Sequence, residues 1–208
     1  MTADDLDKAA RSIASSLDLV GLAIKQHADR LRQDTQELQR ALDIIFTVAD
    51  APRSKFVITG VGKSFLVGKK LAATMTSVGT RAVALHATEA LHGDVGIIDS
   101  GDCVIALSYS GVTEEMVKLA KVLRDPQNRH DVWLIGMGRS VNSPLGELCD
   151  AWIDCSVETE LSSVVCAPTI SSSLMLALGD SIATLLMNRS KFGPSDFVRN
   201  HPSGNLGK

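Results

Sequence analysis

The chain has 208 residues, 22% of them charged and 4% aromatic, with a formal net charge of −3. This length allows one domain with a sizeable core. The slight negative charge, the scarcity of aromatic rings and the lack of a basic cluster exclude an electrostatic drive toward nucleic acid or anionic membrane, and exclude a base-stacking surface.

The N-terminus, Met1-Thr2-Ala3-Asp4-Asp5, is acidic and lacks the charged-then-apolar order of a signal peptide, so a cytoplasmic protein is expected. Residues 3 to about 50 read as a helical pair. Leu6, Ala9, Ile13, Leu17, Val20, Ile24, Ala28 and Leu31 recur three or four apart. A second run, from near Asp34, carries Leu38, Leu42, Ile45, Phe46 and Ala49. Residues 1–50 are expected to pack on the core and on another subunit, and 51–208 to form the main domain.

Ala51-Pro52-Arg53-Ser54 is a breaker. A strand, Lys55–Thr59, runs into Gly60-Val61-Gly62-Lys63-Ser64 and a helix from about Ser64 to Ser77. The turn is not a Walker A loop, which needs glycine where Val57 stands. It is not a Rossmann fingerprint, which needs glycine where Phe65 stands. What remains is a strand–glycine turn–helix with Lys63 at the carboxyl end of the sheet, where ligands of open α/β sheets bind. A merely solvated lysine is the competing reading. Strand two, Arg81–Leu85, leads into His86-Ala87-Thr88-Glu89-Ala90-Leu91-His92-Gly93-Asp94. His86, Glu89 and His92, three apart, could share a helical face as a metal site requires. Backbone hydrogen bonding in a turn, and an acid/base or orienting role for one histidine, stand beside that reading.

The next strand, Cys103–Leu107, ends in Ser108-Tyr109-Ser110-Gly111-Val112-Thr113. Thr113 is the expected N-cap, Glu114 and Glu115 fill the first turn, and Met116, Leu119, Ala120 and Leu123 form the apolar face. Free backbone N–H groups and the helix dipole at such a junction attract an anion. Ser108, Ser110 and Thr113 add hydroxyl donors. The loop holds no cation, so the favoured guest is a small phosphate ester held by directed hydrogen bonds. An ordinary Ser/Gly turn has the same composition.

Asp125-Pro126-Gln127-Asn128 ends that helix, and Val132–Gly136 is strand four. Ser143-Pro144-Leu145 opens a short helix with Ser143 as cap and Pro144 at its first position. Ala151–Cys155 is strand five. A loop from Glu158 to Pro168 holds Glu160 and leads to Thr169-Ile170-Ser171-Ser172-Ser173. Leu174–Met187 reads as one nearly all-apolar helix buried on most sides; as an apolar stretch it is interrupted by Gly179-Asp180 and is too short to span a bilayer. Phe197–Asn205 reads as a polar loop with one histidine, His201. Cys103, Cys149, Cys155 and Cys166 form no C-x-x-C pair and read as reduced core residues rather than a disulfide or zinc framework. Five strands alternating with helices imply an α/β fold, a five-stranded parallel sheet with helices on both faces in a flavodoxin-like three-layer sandwich. Lys63, His86 to His92, Ser108 to Glu115, and Glu160 with Thr169 then gather at its carboxyl edge.

Taken in order, Gly60-Val61-Gly62-Lys63-Ser64, His86-x-x-Glu89-Ala90-x-His92-Gly93-Asp94-Val95-Gly96, Ser108-Tyr109-Ser110-Gly111, Ala167-Pro168-Thr169, Gly179-Asp180 and His201-Pro202 resemble the SIS (sugar isomerase) domain. Within it they are similar to the D-arabinose-5-phosphate isomerases that feed synthesis of the eight-carbon sugar acid of lipopolysaccharide and capsules. The resemblance implies aldose–ketose isomerisation of D-ribulose 5-phosphate and D-arabinose 5-phosphate through an enediol by general acid/base catalysis. It puts Lys63, Glu115, Glu160 and His201 in the catalytic set, with His92 in the pocket. Ser64, Ser108, Ser110, Gly111 and Thr113, with His86 and Thr169, fall on the substrate. No cofactor is required; metal dependence stays open, and zinc bound by His86 or His92 could inhibit rather than assist. The implied assembly is a homotetramer whose sites borrow residues between subunits.

The sequence departs from the family pattern in four places. Leu161-Ser162-Ser163-Val164-Val165 replaces a proline–glycine loop. His201-Pro202-Ser203-Gly204 replaces His-Pro-Gly-Gly, and Phe65-Leu66 follows Gly-Lys-Ser. Many relatives carry a pair of CBS domains after the SIS domain, whereas this chain ends at Lys208. Two other readings stay open, a non-catalytic sugar-phosphate-binding regulator and an isomerase of another phosphosugar.

Overall fold

The computed structural model describes residues 1–128, 131–165 and 167–203. Cys166, Gly204 and Asn205, named above, lie outside them. Five parallel strands, β1 (Phe56–Gly60), β2 (Ala82–His86), β3 (Cys103–Leu107), β4 (Trp133–Gly138) and β5 (Ala151–Asp154), lie in the order β2-β1-β3-β4-β5. β3 is a continuous apolar run, and β1 is apolar from Phe56 to Ile58 before Thr59 and Gly60; both are buried along their length, as expected of parallel strands covered on both faces. On one face, Phe56, Ile58, Ile105 and Met137 meet α2 (Gln36–Asp50), α3 (Gly62–Ser77) and α6 (Ile170–Arg189). On the other, Val57, Val104, Ala106 and Leu134 meet α4 (Ala87–Leu91) and α5 (Glu114–Arg124).

The register sets Gly60 level with His86 on one side and with Leu107 on the other. The chain leaves β1 toward β2 and returns to β3 on β1's opposite flank. The carboxyl ends of β1 and β3 therefore flank the topological switch point, where open α/β sheets bind ligands.

Each expected strand is present within two residues at either end, and the expected apolar face of α5 is buried. The differences have local causes. β4 runs on to Gly138 because Gly136 and Gly138 leave room for the Trp152 indole of β5. The Ser143 hydroxyl does accept from the Gly146 N–H at 3.2 Å, but the segment beyond it is one 3₁₀ turn, Gly146–Leu148, rather than an α-helix begun at Pro144.

α6 starts earlier and ends later than expected. It is 20 residues long, and an 18-residue window of it has a mean hydropathy of 1.5, so it is long and apolar enough to cross a membrane by length and composition. It is also less enclosed than expected, with eight residues buried and Leu185 39% exposed. The helix runs unbroken through Gly179-Asp180, as expected. Gly179 lets α6 close on Leu71 of α3, and Asp180 pairs with Lys70. Phe197–Asn200, expected as loop, belongs to a short helix, α7 (Pro194–Asn200), with Pro194 in its first turn.

Cys103 and Cys155 are buried and unpaired, and burial raises the Cys149 thiol to about 12. α1 (Ala3–Gln33) opens with a Thr2–Asp5 capping box. Its C-terminal part packs on α6, and Arg30 donates to the Ser156 carbonyl at 2.8 Å.

Candidate functional site

The loop after β3 is built before any ligand arrives. The Ser108 N–H donates to the Met137 carbonyl at 3.1 Å. The Arg139 and Leu145 N–H groups donate to the Tyr109 and Gly111 carbonyls at 2.8 and 3.0 Å. Three strong acceptors on this segment are engaged inward by neighbouring backbone, because the Gly111 N–H also holds the Ser108 carbonyl at 3.2 Å. Gly138 permits this closeness, since a Cβ there would overlap the Ser108 carbonyl oxygen.

Thr113 is the N-cap by backbone position, but its hydroxyl caps nothing. It lies 3.2 Å from the buried Ser108 hydroxyl. The N–H groups of Glu114, Glu115 and Met116 are thus left without intrahelical acceptors, the arrangement that receives an anion. Ser110 accepts weakly from the Val112 N–H at 3.4 Å.

Gly111 sits at φ +66°, and a Cβ there would overlap the Ser143 hydroxyl. Gly111→Ala is expected to weaken inorganic phosphate binding about tenfold or more while the chain stays folded. Calorimetric titration of the variant beside wild type checks this, and equal affinities would remove the loop from anion binding.

Beside this loop, across the switch point, α3 begins at Gly62. Lys63 is exposed in its first turn and Ser64 is partly covered. Lys63 enters none of the ion pairs among the described residues. Glu115 is half-buried in the first turn of α5, whereas Glu114 is taken up by Lys118 at 2.6 Å.

Glu160 is used differently. Its Oε2 accepts from the Thr169, Ile170 and Ser171 N–H groups at 2.9, 2.7 and 3.3 Å and from the Thr169 hydroxyl at 2.9 Å. Its Oε1 accepts from the Ser171 hydroxyl. The carboxylate is the N-terminal anion of α6. Burial pushes its pKa up, but the bonds from Ser171 and Thr169 outweigh burial and hold it below the usual glutamate value. Because the folded-state pKa is depressed, its stabilisation is present above the unfolded value and is lost as pH falls through the folded one. Glu160→Gln is expected to destabilise the chain by about 1–2 kcal/mol at pH 7, with the gap from wild type narrowing toward pH 3. Urea melts at both pH values measure it, and a gap independent of pH would show that the charge is not what matters.

His86 ends β2, and its Nδ1 accepts from the Thr88 N–H at 3.3 Å. A neutral ring therefore carries its proton on Nε2. Its edge meets Phe65, with ring centroids 4.7 Å apart. His92 is exposed beyond the other end of α4, so His86, Glu89 and His92 do not share a helical face. Among the described residues no three His, Cys, Asp or Glu side chains gather to hold a metal.

His201 does not reach the shared edge within one chain. It stacks on Phe197 at 3.9 Å, and its Nδ1 lies 2.8 Å from the Phe197 carbonyl. The neighbouring Asn200 amide donates to the Thr76 and Ser77 carbonyls at the C-terminal end of α3, the amino edge of the sheet.

Three residues at the edge escaped the sequence reading. Tyr109 is half-buried, and its hydroxyl accepts from the Val157 N–H at 3.4 Å, joining the Ser loop to the Glu160 loop. Arg139 adds an exposed cation just beyond β4, where the Ser loop itself has none. Trp152 lies against Gly136 and Gly138 and comes within 3.8 Å of the place a Gly111 Cβ would take. The pair of glycines two apart in β4 was the available signal for a large ring from a neighbouring strand.

The fold and crevice define a doubly wound α/β protein with a hydroxyl-lined loop and a lysine at its switch point. Residues 51–185 match the SIS domain model, and the chain belongs to the SIS-domain family. It is 39% identical over 183 residues to the arabinose 5-phosphate isomerase GutQ of Salmonella typhimurium, covering 88% of this chain and 54% of that one. It is 37% identical over 175 residues to the arabinose 5-phosphate isomerase KpsF of Escherichia coli, covering 84% and 51%. A solved structure of an Escherichia coli CFT073 protein in complex with arabinose 5-phosphate is 32% identical with a TM-score of 0.80, covering 97% of this chain and all of that one. The chain spans about half the length of the curated relatives it matches.

Proposed function

We propose that this chain interconverts D-ribulose 5-phosphate and D-arabinose 5-phosphate through an enediol. The observation that carries this reading is the free N-terminus of α5, lined by Ser108, Ser110 and Thr113, with Lys63 and Glu115 at the same switch point. The arabinose 5-phosphate complex of a protein 32% identical over nearly the whole chain, and the two arabinose 5-phosphate isomerases above, support the choice of substrate.

In this reading the phosphate rests on the Ser loop and the N–H groups of Glu114 to Met116, with Ser64 and His86 at its flank. A base takes a proton from C1 of the ketose, leaving an enediol. A proton then returns to C2 while another moves from O1 to O2. Lys63 stabilises the charge that grows on oxygen. Glu115, whose carboxylate is not committed to a partner among the described residues, fits the proton carrier better than Glu160, which α6 already holds ionised. Glu160 then acts by holding Thr169 and Ser171 in place. His201 would join the site from a second subunit, with His92 at the rim.

The test is an NMR time course with D-ribulose 5-phosphate in D2O. D-Arabinose 5-phosphate carrying deuterium at C2 is the expected product. Unchanged substrate, with thermal stability raised by sugar phosphate, would instead make the chain a non-catalytic binder.

A further inference from the structure

We propose that Trp152 positions the anion loop, its indole forming the rigid support behind Gly111 that keeps Ser110, Thr113 and the open N–H groups of α5 converging on one point. This rests on the reading that the loop holds the substrate's phosphate, and it assigns a residue that sets how tightly that phosphate is held. Trp152 stands on β5 level with Gly136 of β4. Its ring is buried and lies along β4 toward the carboxyl edge. A Cβ on Gly136 would overlap Cε3 and Cζ3 of the ring. A Cβ on Gly138 would come within 3.0 Å of Cζ2, and one on Gly111 within 3.8 Å of Cη2. One stiff side chain therefore reaches from the middle of the sheet to the turn of the loop. β4 cannot supply that support itself, because its last two positions on this side, Gly136 and Gly138, have no side chain.

Hydrogen bonds alone do not fix the depth of the turn. Gly111 accepts from the Leu145 N–H at 3.0 Å and donates to the Ser108 carbonyl at 3.2 Å. Both bonds tolerate small shifts. A close-packed ring does not, since its contacts are lost as soon as a gap opens. Ser110 precedes Gly111 and Thr113 follows two residues later, so movement of Gly111 toward the sheet carries both hydroxyls with it. Recognition of an anion by directed donors falls off steeply with such displacement.

The ring is held by shape alone. It belongs to the apolar cluster of Ala106, Leu134 and Leu145. Its Nε1–H is buried and has no hydrogen-bond partner among the described residues. Trimming the indole therefore orphans no acceptor and removes only volume. The chain's other tryptophan, Trp133, is 41% exposed at the amino end of β4. Replacing it with phenylalanine leaves Trp152 as the one indole whose emission is read.

Calorimetric titration of the full chain with inorganic phosphate tests this. Trp152→Leu is expected to weaken binding about tenfold, and Trp152→Phe, which keeps a ring, about threefold. KM for D-ribulose 5-phosphate should rise by the same factors, while kcat changes by less than about threefold. In Trp133→Phe, the emission of Trp152 should change on adding phosphate, saturably and with the calorimetric midpoint. That arm leaves Trp152 in place, so it gives the answer even if Trp152→Leu fails to fold. Wild-type affinity in both Trp152 variants, a loss confined to kcat, or emission indifferent to saturating phosphate would each overturn the proposal alone. A wild type that binds no phosphate would overturn the reading of the loop and the proposal with it.

Discussion

Lys63→Met is expected to lower kcat by about 10²–10³ while leaving the fold intact. The size follows from where the charge develops. An enediol forms only if negative charge on an oxygen is tolerated, and Lys63 is the ammonium group at the switch point beside the Ser loop. Its removal should therefore fall on kcat more than on KM, because the phosphate is held by other groups. The side chain is exposed and unpaired among the described residues, so its loss removes no packing. α3 has no acidic residue in its first turn, and a cation there opposes the helix dipole. Thermal stability of Lys63→Met should thus equal or slightly exceed that of wild type, a trade typical of functional positions. Steady-state kinetics with a thermal melt decides the matter. Activity within tenfold of wild type would take Lys63 out of the chemistry.

The largest expected effect on stability lies at the other edge of the sheet. Asp102 is fully buried just before β3. Its carboxylate accepts from the Lys55 and Asp99 N–H groups, each at 2.9 Å, and pairs with the Lys55 ammonium at 2.7 Å. Lys55 immediately precedes β1, so this one side chain ties the starts of β1 and β3 together. It helps set the register of Phe56 against Cys103, and through it that of Gly60 against Leu107 at the switch point. Asp102→Ala leaves a nearly buried ammonium and two N–H groups without that acceptor, at a cost of about 3–5 kcal/mol. For a chain of this size the melting temperature should fall by roughly 10 °C. Asp102→Asn keeps an acceptor and should cost less. Loss of under about 1 kcal/mol in Asp102→Ala would mean that water replaces the carboxylate.

Elements whose causes lie within ten or so residues were legible in the sequence. The β3–Ser loop–α5 unit is one. Its strand is a continuous apolar run, its loop carries the hydroxyls, and Met116, Leu119, Ala120 and Leu123 repeat at the helical period and are buried. Lys63 in a glycine turn after β1 is another. The error at Phe197–Asn200 is of the same local kind, because Pro194 at a helix start was not weighed.

The candidate site was legible as a set of residues but not as an arrangement. The motifs after β1 and β3 do share an edge, since parallel strands bring successive turns to one side. His201 does not, because α7 follows an α6 that ends at the amino edge and anchors through Asn200 to α3. The fate of Glu160 was also closed to sequence reading. Nothing local says that its carboxylate will reach nine to eleven residues ahead to cap the start of a helix.

Residue order alone thus specified the strands, the helices that flank them, their alternation and hence a parallel sheet with its loops on one edge, though not α7, because periodicity, caps and turn residues act locally. Packing in three dimensions settled which strands adjoin at the switch point, that Thr113 bonds Ser108 and leaves the α5 N–H groups open, and that Trp152 fills the space above Gly136 and Gly138. Those outcomes depend on volumes and hydrogen-bond partners that meet only when segments far apart in the chain are packed together.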